Sequence, residues 1–269
     1  MAERVSGVKA SVGFASETGP RERNEDFGGA VFGWELPKPR RDVVAAVADG
    51  IGGAKGGRVA AETAVRGFLD GFCDLPETME VRRAAATVIS SLNGWIYGQG
   101  KRDPTLAGMG CTFTAIVLRG RIAHVLHVGD TRAYRFSRDR LTLLTEDHIR
   151  QDGTGRSSTL VRALGVETEV RLDYTSQVVA QHDRFLLCSD GVHAYLPADA
   201  IADILRERVR AGLAHARQQG TQLGRPPSVV HNAAEVRKLC QQESANLRSL
   251  AGLRSAEPRS AASWPKRTS

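Results

Sequence analysis

Three aspartates follow apolar runs, each at the point where the run ends. They are Asp49 in VADGIGG, Asp130 in HVGDTRAY and Asp190 in LLCSDG, and an acidic pair, Glu25 and Asp26, lies in RERNED. An aspartate in a turn is most often a solvated turn residue. Carboxylates that converge instead repel each other and raise one another's pKa unless divalent cations neutralise them. The repeated pattern therefore favours an oxygen-rich site for a hard cation, Mg²⁺ or Mn²⁺.

A glycine-rich segment follows Asp49 and leads into a predicted helix. Glycines let the backbone turn sharply and approach a ligand closely. The segment is not a P-loop because no GK[ST] follows, and GIGGAKGG lacks the GxGxxG dinucleotide pattern. Two interpretations stay open for this motif alone: a tight turn capped by Asp49, or a metal site.

Short apolar runs predict strands on either side of two helices. The first three, VKASVGFAS, FGGAVFGW and DVVAAVADG, are rich in Val and small residues. From Gly57, apolar residues recur at helical spacing, and PETMEVRRAAATVISSLNGWIYGQ predicts a second helix opened by Pro76. The runs CTFTAIVL, RIAHVLHVG, TRAYRF and RLTLLT are joined by short connections and predict an antiparallel meander.

The remaining elements complete a fold prediction. DHIRQDGTGRSST predicts a loop, STLVRALG a short helix, and VRLDYTSQVVA and DRFLLCSDG two further strands. Strands and helices come in blocks rather than in βαβ alternation. We therefore predict an α+β fold, with helices on antiparallel sheets, over a Rossmann fold.

The net charge of +7 belongs to the C-terminal part of the chain. Residues 201–269 hold 12 Lys and Arg against 5 Asp and Glu, which leaves 25 of each among the first 200 residues. Trp264 is the only aromatic residue of this basic segment, so it offers little for bases to stack on. We expect no specific nucleic-acid binding. We divide the chain into residues 1–205 and a basic segment, 206–269, that is disordered or helical.

The cysteines and the hydropathy pattern bear on location. Cys73, Cys111, Cys188 and Cys240 are far apart and form no CxxC pair, which argues against a zinc knuckle or a disulfide framework and suits a reducing compartment. The N-terminal residues have no apolar stretch of signal-peptide length, and no run of about 18 apolar residues occurs. We expect a cytoplasmic protein without a membrane segment.

Seven blocks carry a family resemblance: RERNED, VADGIGG, MGCTFTAIV, HVGDTRAY, LTEDH, RALG and LLCSDG. Their order and spacing resemble those of the metal-dependent type 2C Ser/Thr protein phosphatases, the PPM family, in its prokaryotic form. The match covers about residues 7 to 200, within a phosphatase-like catalytic domain of residues 1–205. The resemblance implies a four-layer αββα sandwich, a central antiparallel β-sandwich flanked by helix pairs.

The resemblance also implies a metal centre. Asp49 would bridge two Mg²⁺ or Mn²⁺ ions, with the Gly50 carbonyl on one ion and Asp190 on the other, while Asp26 and Glu25 would support the site through metal-bound water. In the family, hydroxide bridging the two ions attacks the phosphorus of phosphoserine or phosphothreonine, so no covalent phosphoenzyme is needed.

Three further roles come from the same blocks. Asp130 resembles the ligand of a third ion, and Arg21 resembles the arginine that binds the substrate phosphate in bidentate fashion. Phosphorylated Ser/Thr proteins would be the substrates, and a cognate Ser/Thr protein kinase is an implied partner. For His148 in LTEDH, a structural hydrogen-bonding role is favoured over a catalytic one.

The sequence departs from the family pattern at three places. Ile51 replaces the histidine that eukaryotic members often have after the DG pair, and the loop after His148 is shorter than the usual substrate flap. No Asp follows Asp203, so the family's late Asp-Asn block is missing, and His231-Asn232-Ala233-Ala234 resembles a degraded copy of it. Two functions stay open: an active phosphatase with an unusual second metal site, or an impaired phosphatase-fold binding or regulatory protein.

Overall fold

The computed structural model describes residues 10–19, 21–37, 39–51, 56–151 and 158–218. All of them belong to one compact unit, Met1–Thr221, and a second unit, Gln222–Ser269, lies outside the described residues. The expectations for the His231-Asn232-Ala233-Ala234 block and for most of the basic segment therefore fall outside the described part of the chain. The predicted boundary at residue 205 falls within a continuous helix, Ala198–Gln218.

The described residues form twelve strands and four α-helices. In chain order they are β1 (Phe27–Phe32), β2 (Asp42–Ala48), β3 (Gly50–Ile51), α1 (Gly56–Asp74), α2 (Val81–Arg102), β4 (Gly110–Cys111), β5 (Phe113–Arg119), β6 (Ile122–Val128), β7 (Arg132–Ser137), β8 (Arg140–Leu143), β9 (Ile149–Gln151), β10 (Ser158–Leu160), β11 (Asp173–Val178), β12 (Arg184–Cys188), α3 (Asp190–His193) and α4 (Ala198–Gln218).

Two antiparallel sheets make up most of the strand structure. The larger has five strands in the order β1-β2-β5-β6-β11, and the smaller has three in the order β12-β7-β8. Two further antiparallel pairs are short: β3 pairs with β4, and β9 pairs with β10. The predicted meander corresponds to β5 through β8, and the predicted α+β class with antiparallel sheets is confirmed.

The packing of three apolar clusters shows the order of the layers. Helices α1 and α2 bury one face against the five-stranded sheet, with Phe68, Phe72 and Phe113 fully buried at the centre. Ile116 and Val125 of this sheet pack against residues of β7 and β12, so the second cluster lies between the two sheets. A third cluster holds Ile201 of α4 against the outer face of the smaller sheet. The order is therefore helices, sheet, sheet, helix.

A buried ionic network joins the sheet to the end of α1. Asp42 is fully buried, and its carboxylate accepts hydrogen bonds from Arg119 at 2.8 Å and from Arg40 at 2.9 Å. Arg40 also donates to the carbonyls of Phe72, Cys73 and Leu75, where α1 ends. A cation at a helix C-terminus satisfies carbonyls that have no partner within the helix.

Four local predictions differ from the structure. The segment DHIRQDGTGRSST, predicted as a loop, contains the strand β9, Ile149–Gln151. VKASVGFAS was expected to form a strand, but residues 10–16 of it are not in one. The second helix begins at Val81 rather than at Pro76, because Met79 donates its N–H to Pro76 and closes a separate turn first. STLVRALG is not a helix. Its first residues form β10, which pairs with β9, and Leu164 then exchanges backbone hydrogen bonds with Cys111.

In the part of the chain that the structure describes, every helix is too short or too polar to cross a membrane.

Candidate functional site

Asp49 directly follows β2, and its backbone is held by Thr112, which lies between β4 and β5. Its N–H donates to the Thr112 Oγ1 at 2.9 Å, and the Thr112 N–H donates to the Asp49 carbonyl at 2.9 Å. These reciprocal bonds fix the backbone where the apolar strand meets the glycine-rich segment. The Asp49 side chain therefore starts from a rigid position at the rim of the larger sheet.

Asp26 immediately precedes β1 and is held from three directions. Its N–H donates to the Asn24 Oδ1 at 2.9 Å, and its carbonyl accepts from the Arg58 guanidinium at 2.7 Å. Its carboxylate accepts a hydrogen bond from the Ser189 hydroxyl at 2.6 Å. The last bond ties the start of β1 to the segment that carries Asp190.

Asp130 and Asp190 are linked through α3. Asp190 is the first residue of this short helix, and His193 at its end is hydrogen-bonded through Nε2 to the Asp130 carbonyl at 2.9 Å. Because a carbonyl only accepts, the Nε2 of His193 carries the hydrogen. The contact sets the position of the loop before β7 relative to the turn after β12.

The residue before Asp130 must be a glycine. Gly129 has φ of +111°, and a Cβ there would approach the Thr112 Cβ to 2.6 Å. Its N–H donates to the Nδ1 of the buried His148 at 3.0 Å, so the other ring nitrogen carries the hydrogen and donates to Asp173 at 2.9 Å. His148 is thus bonded at both nitrogens, in keeping with the structural role favoured from the sequence.

Glu25 lies beside the glycine-rich segment. Its Oε2 is 2.3 Å from the position of a Cβ on Gly57, and a Cβ on Gly50 would lie 2.3 Å from the Gly57 backbone. Neither glycine therefore has room for a side chain. Glu25, Gly50 and the first turn of α1 meet at one point, next to Asp49.

Burial, together with neighbouring carboxylates, raises the pKa of Asp49 to about 8. Burial is the largest cause, followed by the charges of Asp26 and Asp190, a hydrogen bond with Asp26, and the charge of Asp130. Burial and the charge of Asp190 also raise the pKa of Asp130. Two carboxylates can share a hydrogen bond only if one of them is protonated. The four aspartates predicted from the sequence thus influence one another electrostatically.

The donor set suits a hard cation. Carboxylate and carbonyl oxygens are the ligands preferred by Mg²⁺ and Mn²⁺, and the His193 imidazole is hydrogen-bonded to the Asp130 carbonyl. Within the described ranges, no three Asp, Glu, His or Cys side chains stand in an arrangement that would enclose an ion. Asp49 and Asp26 are instead hydrogen-bonded to each other, so a cation bound there would take the place of the shared proton.

Arg21 is separate from this group. Its side chain is exposed, and no hydrogen bond or ion pair joins it to the carboxylates among the described residues. Arg58, which the sequence did not single out, is instead the arginine hydrogen-bonded at Asp26.

Four contacts of the site were missed from the sequence: those made by Arg58, Thr112, Ser189 and His193. Ser189 could have been suspected, since it directly precedes Asp190. The other three lie on different elements from the aspartates they contact, so no local spacing indicates them.

The raised pKa of Asp49 predicts how the metal-free protein responds to pH. Since the folded protein holds this proton more tightly than the unfolded chain, its contribution to stability is complete below about pH 4 and is lost as pH rises towards 8. We expect the free energy of unfolding in EDTA to fall over this range, as measured by urea denaturation. The Asp49→Asn variant should lose most of this dependence. An equal slope in the two proteins would contradict the assignment.

Comparison with known proteins agrees with the geometry. The family model of Protein phosphatase 2C matches residues 30–224. The serine/threonine phosphatase stp of Listeria welshimeri is 32% identical over 205 residues, which cover 70% of this chain and 79% of that protein.

Solved structures give the same result. The serine/threonine phosphatase PstP/Ppp of Mycobacterium tuberculosis aligns with a TM-score of 0.58 and 28% identity, covering 68% of this chain and 79% of that one. The catalytic domain of PstP in complex with 2 manganese ions also aligns with a TM-score of 0.58 and 28% identity, over 69% and 79% of the two chains. From its sequence and its fold together, the chain belongs to the protein phosphatase 2C family.

Proposed function

We propose that this protein hydrolyses phosphoserine and phosphothreonine in proteins, using divalent cations held by Asp26, Asp49, Asp130 and Asp190. The observation that carries the proposal is the burial of Asp49 beside the charges of Asp26, Asp190 and Asp130, which come from separate segments and, together with that burial, raise the pKa of Asp49 to about 8. A protein gains nothing in stability from such repulsion. A cation site explains why the carboxylates are kept together.

The residues have distinct proposed roles. Asp49, Asp190 and the Gly50 carbonyl would hold two Mg²⁺ or Mn²⁺ ions. Asp26 and Glu25 would orient water beside these ions, and Asp130 would bind a third ion. When bound, such ions activate water as a nucleophile and offset negative charge on the phosphoryl oxygens.

The chain itself supplies positioning. Thr112 fixes the Asp49 backbone, and Ser189 holds the Asp26 carboxylate. The side chain of Ile51 is apolar, so it cannot donate a proton to the leaving group. Arg21 is proposed to bind the substrate phosphate. Because its side chain is exposed and makes no bond to the cluster among the described residues, it would have to turn inward when substrate binds.

The substrates and the cellular location are part of the same proposal. The substrates would be proteins phosphorylated on Ser or Thr by a cognate protein kinase. A cytoplasmic location is supported by Cys73, Cys111 and Cys188, which are free thiols rather than disulfides.

The test is Mn²⁺-dependent turnover by the full chain. After treatment with EDTA, the protein should hydrolyse p-nitrophenyl phosphate and a phosphothreonine peptide only when Mn²⁺ or Mg²⁺ is restored. Calorimetric titration with Mn²⁺ in parallel reports binding without turnover. Binding of Mn²⁺ with a background rate on both substrates would favour the second function, a phosphatase-fold binding or regulatory protein, which the lack of any Asp after Asp203 also suggests.

A further inference from the structure

The inner face of the smaller sheet changes from apolar to polar along β7. Ala133 packs in the cluster between the two sheets, but the next residues on the same face, by strand alternation, are Arg135 and Ser137. Thr142 and Arg140 lie directly opposite them on β8. The facing surfaces of two packed sheets are normally apolar throughout. The residues at this end of the interface are therefore polar and do not contribute to the hydrophobic core.

These residues line an open cleft between the sheets. Its cavity volume is about 440 Å³, and Gln177 and Ala180, at and just after the end of β11, form the opposite wall. A second hollow of about 470 Å³ adjoins it on the other side of the β7–β8 turn, lined in part by His182 and Arg184. Arg138, in the turn, borders both.

The cleft is lined by three arginines, of which one has an acidic partner. Arg135 is paired with Asp183 at 2.5 Å and donates to the Gln177 amide oxygen at 2.8 Å. Arg138 and Arg140 are exposed, and no carboxylate of the described residues forms an ion pair with either. Two guanidinium groups thus face the opening with their donors available.

The backbone around the cleft is unusual. Arg138, Asp139 and His182 have φ of 49°, 63° and 70°, and they are the non-glycine residues of the described chain with positive φ. A two-residue hairpin turn of this kind favours Asn-Gly, and a long side chain in the left-handed region costs free energy. Turn geometry alone therefore does not explain the arginine at position 138.

We propose that this cleft binds a phosphate group through Arg138 and Arg140, with the Thr142 hydroxyl as a further donor. A phosphate dianion accepts several hydrogen bonds at once, and guanidinium groups match it in bidentate fashion. The cleft lies at the far end of β7 from Asp130, about 20 Å away at the usual rise of a strand. It is a second phosphate site, independent of the metal centre.

Two sources could supply the group: a phosphorylated side chain of a protein partner, or free orthophosphate. The experiment titrates each into the full chain in EDTA, with calorimetry for a phosphothreonine peptide and its unphosphorylated counterpart and ³¹P line broadening for orthophosphate. Wild type should bind the phosphopeptide and not the unphosphorylated peptide. Orthophosphate binding in addition would mean that any phosphate group suffices, and its absence would mean that the peptide is required. Failure of both phosphate ligands to bind overturns the proposal.

Variants assign the binding to the cleft. The double variant Arg138→Gln, Arg140→Gln should weaken binding about tenfold or more, as expected for loss of charge-assisted bonds to phosphate. The control Arg83→Gln, Arg102→Gln removes the same charge from exposed positions on α2 and should have little effect. Equal weakening by the two double variants would overturn the proposal in favour of general charge attraction.

Two further outcomes are decisive. Asp49→Asn should leave this binding unchanged, and loss of binding in that variant would assign the signal to the metal centre instead. Single-stranded DNA bound more tightly than the phosphopeptide, and lost in the Arg138→Gln, Arg140→Gln variant, would make the cleft a nucleic-acid site. Because no metal and no turnover are needed, failure here is distinct from failure of the proposed phosphatase activity.

Discussion

Replacing Asp49 with asparagine is expected to reduce Mn²⁺-dependent hydrolysis of p-nitrophenyl phosphate by at least about 10³-fold, because a cation at such a centre contributes several kcal/mol to transition-state stabilisation. Asp190→Asn should have a loss of similar size. The rate constants kcat and kcat/KM, measured over a range of Mn²⁺ concentrations, check this prediction.

A second readout separates a functional loss from misfolding. Removing the Asp49 charge relieves repulsion from Asp26, Asp190 and Asp130, so the metal-free variant should unfold at a higher urea concentration than wild type near pH 8. Asp70→Asn, an exposed carboxylate on α1, is the matched control and should retain activity. If Asp49→Asn keeps a rate within tenfold of wild type, Asp49 does not hold the catalytic ion.

The largest effect on stability is expected from Asp42→Ala. The variant leaves the buried guanidinium of Arg40 and the partly buried one of Arg119 without their carboxylate, and breaking a buried ion pair in this way costs about 3–5 kcal/mol. Urea denaturation of the two proteins measures the difference. Glu62→Ala, which breaks partly exposed pairs with Arg66 at 2.8 Å and with Arg58 at 3.9 Å, is the control and should cost about 1 kcal/mol or less.

The pH dependence of this network runs opposite to that of Asp49. Burial alone would raise the pKa of Asp42, but hydrogen bonds from Arg119 and Arg40 outweigh it and hold the pKa below its usual range. Its contribution is therefore present above the unfolded pKa and is lost as pH falls below about 4. A loss in Asp42→Ala no larger than that in Glu62→Ala would show that the network is not a main source of stability.

The fold was predictable where a pattern is local. The alternation and composition of DVVAAVADG and DRFLLCSDG predicted β2 and β12, and the position of Asp49 and Asp190 directly after them predicted that both carboxylates lie at strand ends. The amphipathic run after Gly57 predicted α1 because its apolar spacing depends on the helix alone. The aspartates of the candidate site were proposed from the same local pattern.

Predictions failed where a distant partner decides the structure. STLVRALG has residues that suit a helix, but pairing with β9 and the backbone exchange with Cys111 make its ends extended. Contacts such as Arg58 with Asp26 or His193 with Asp130 depend on the complete three-dimensional arrangement. The burial that sets the pKa of Asp49 is likewise a property of the folded chain and not of the motif.

The hydrogen bond from Ser189 to Asp26 spans 163 residues. During translation, Asp26 leaves the ribosome long before the segment that completes its surroundings has been made. Contacts of such long range form late, after the loop-closure entropy has been overcome. A nascent chain can therefore build the Asp42 network once Arg119 has emerged, yet it acquires its complete acidic centre only near the end of domain synthesis, so incomplete products are expected to be structured in part and inactive.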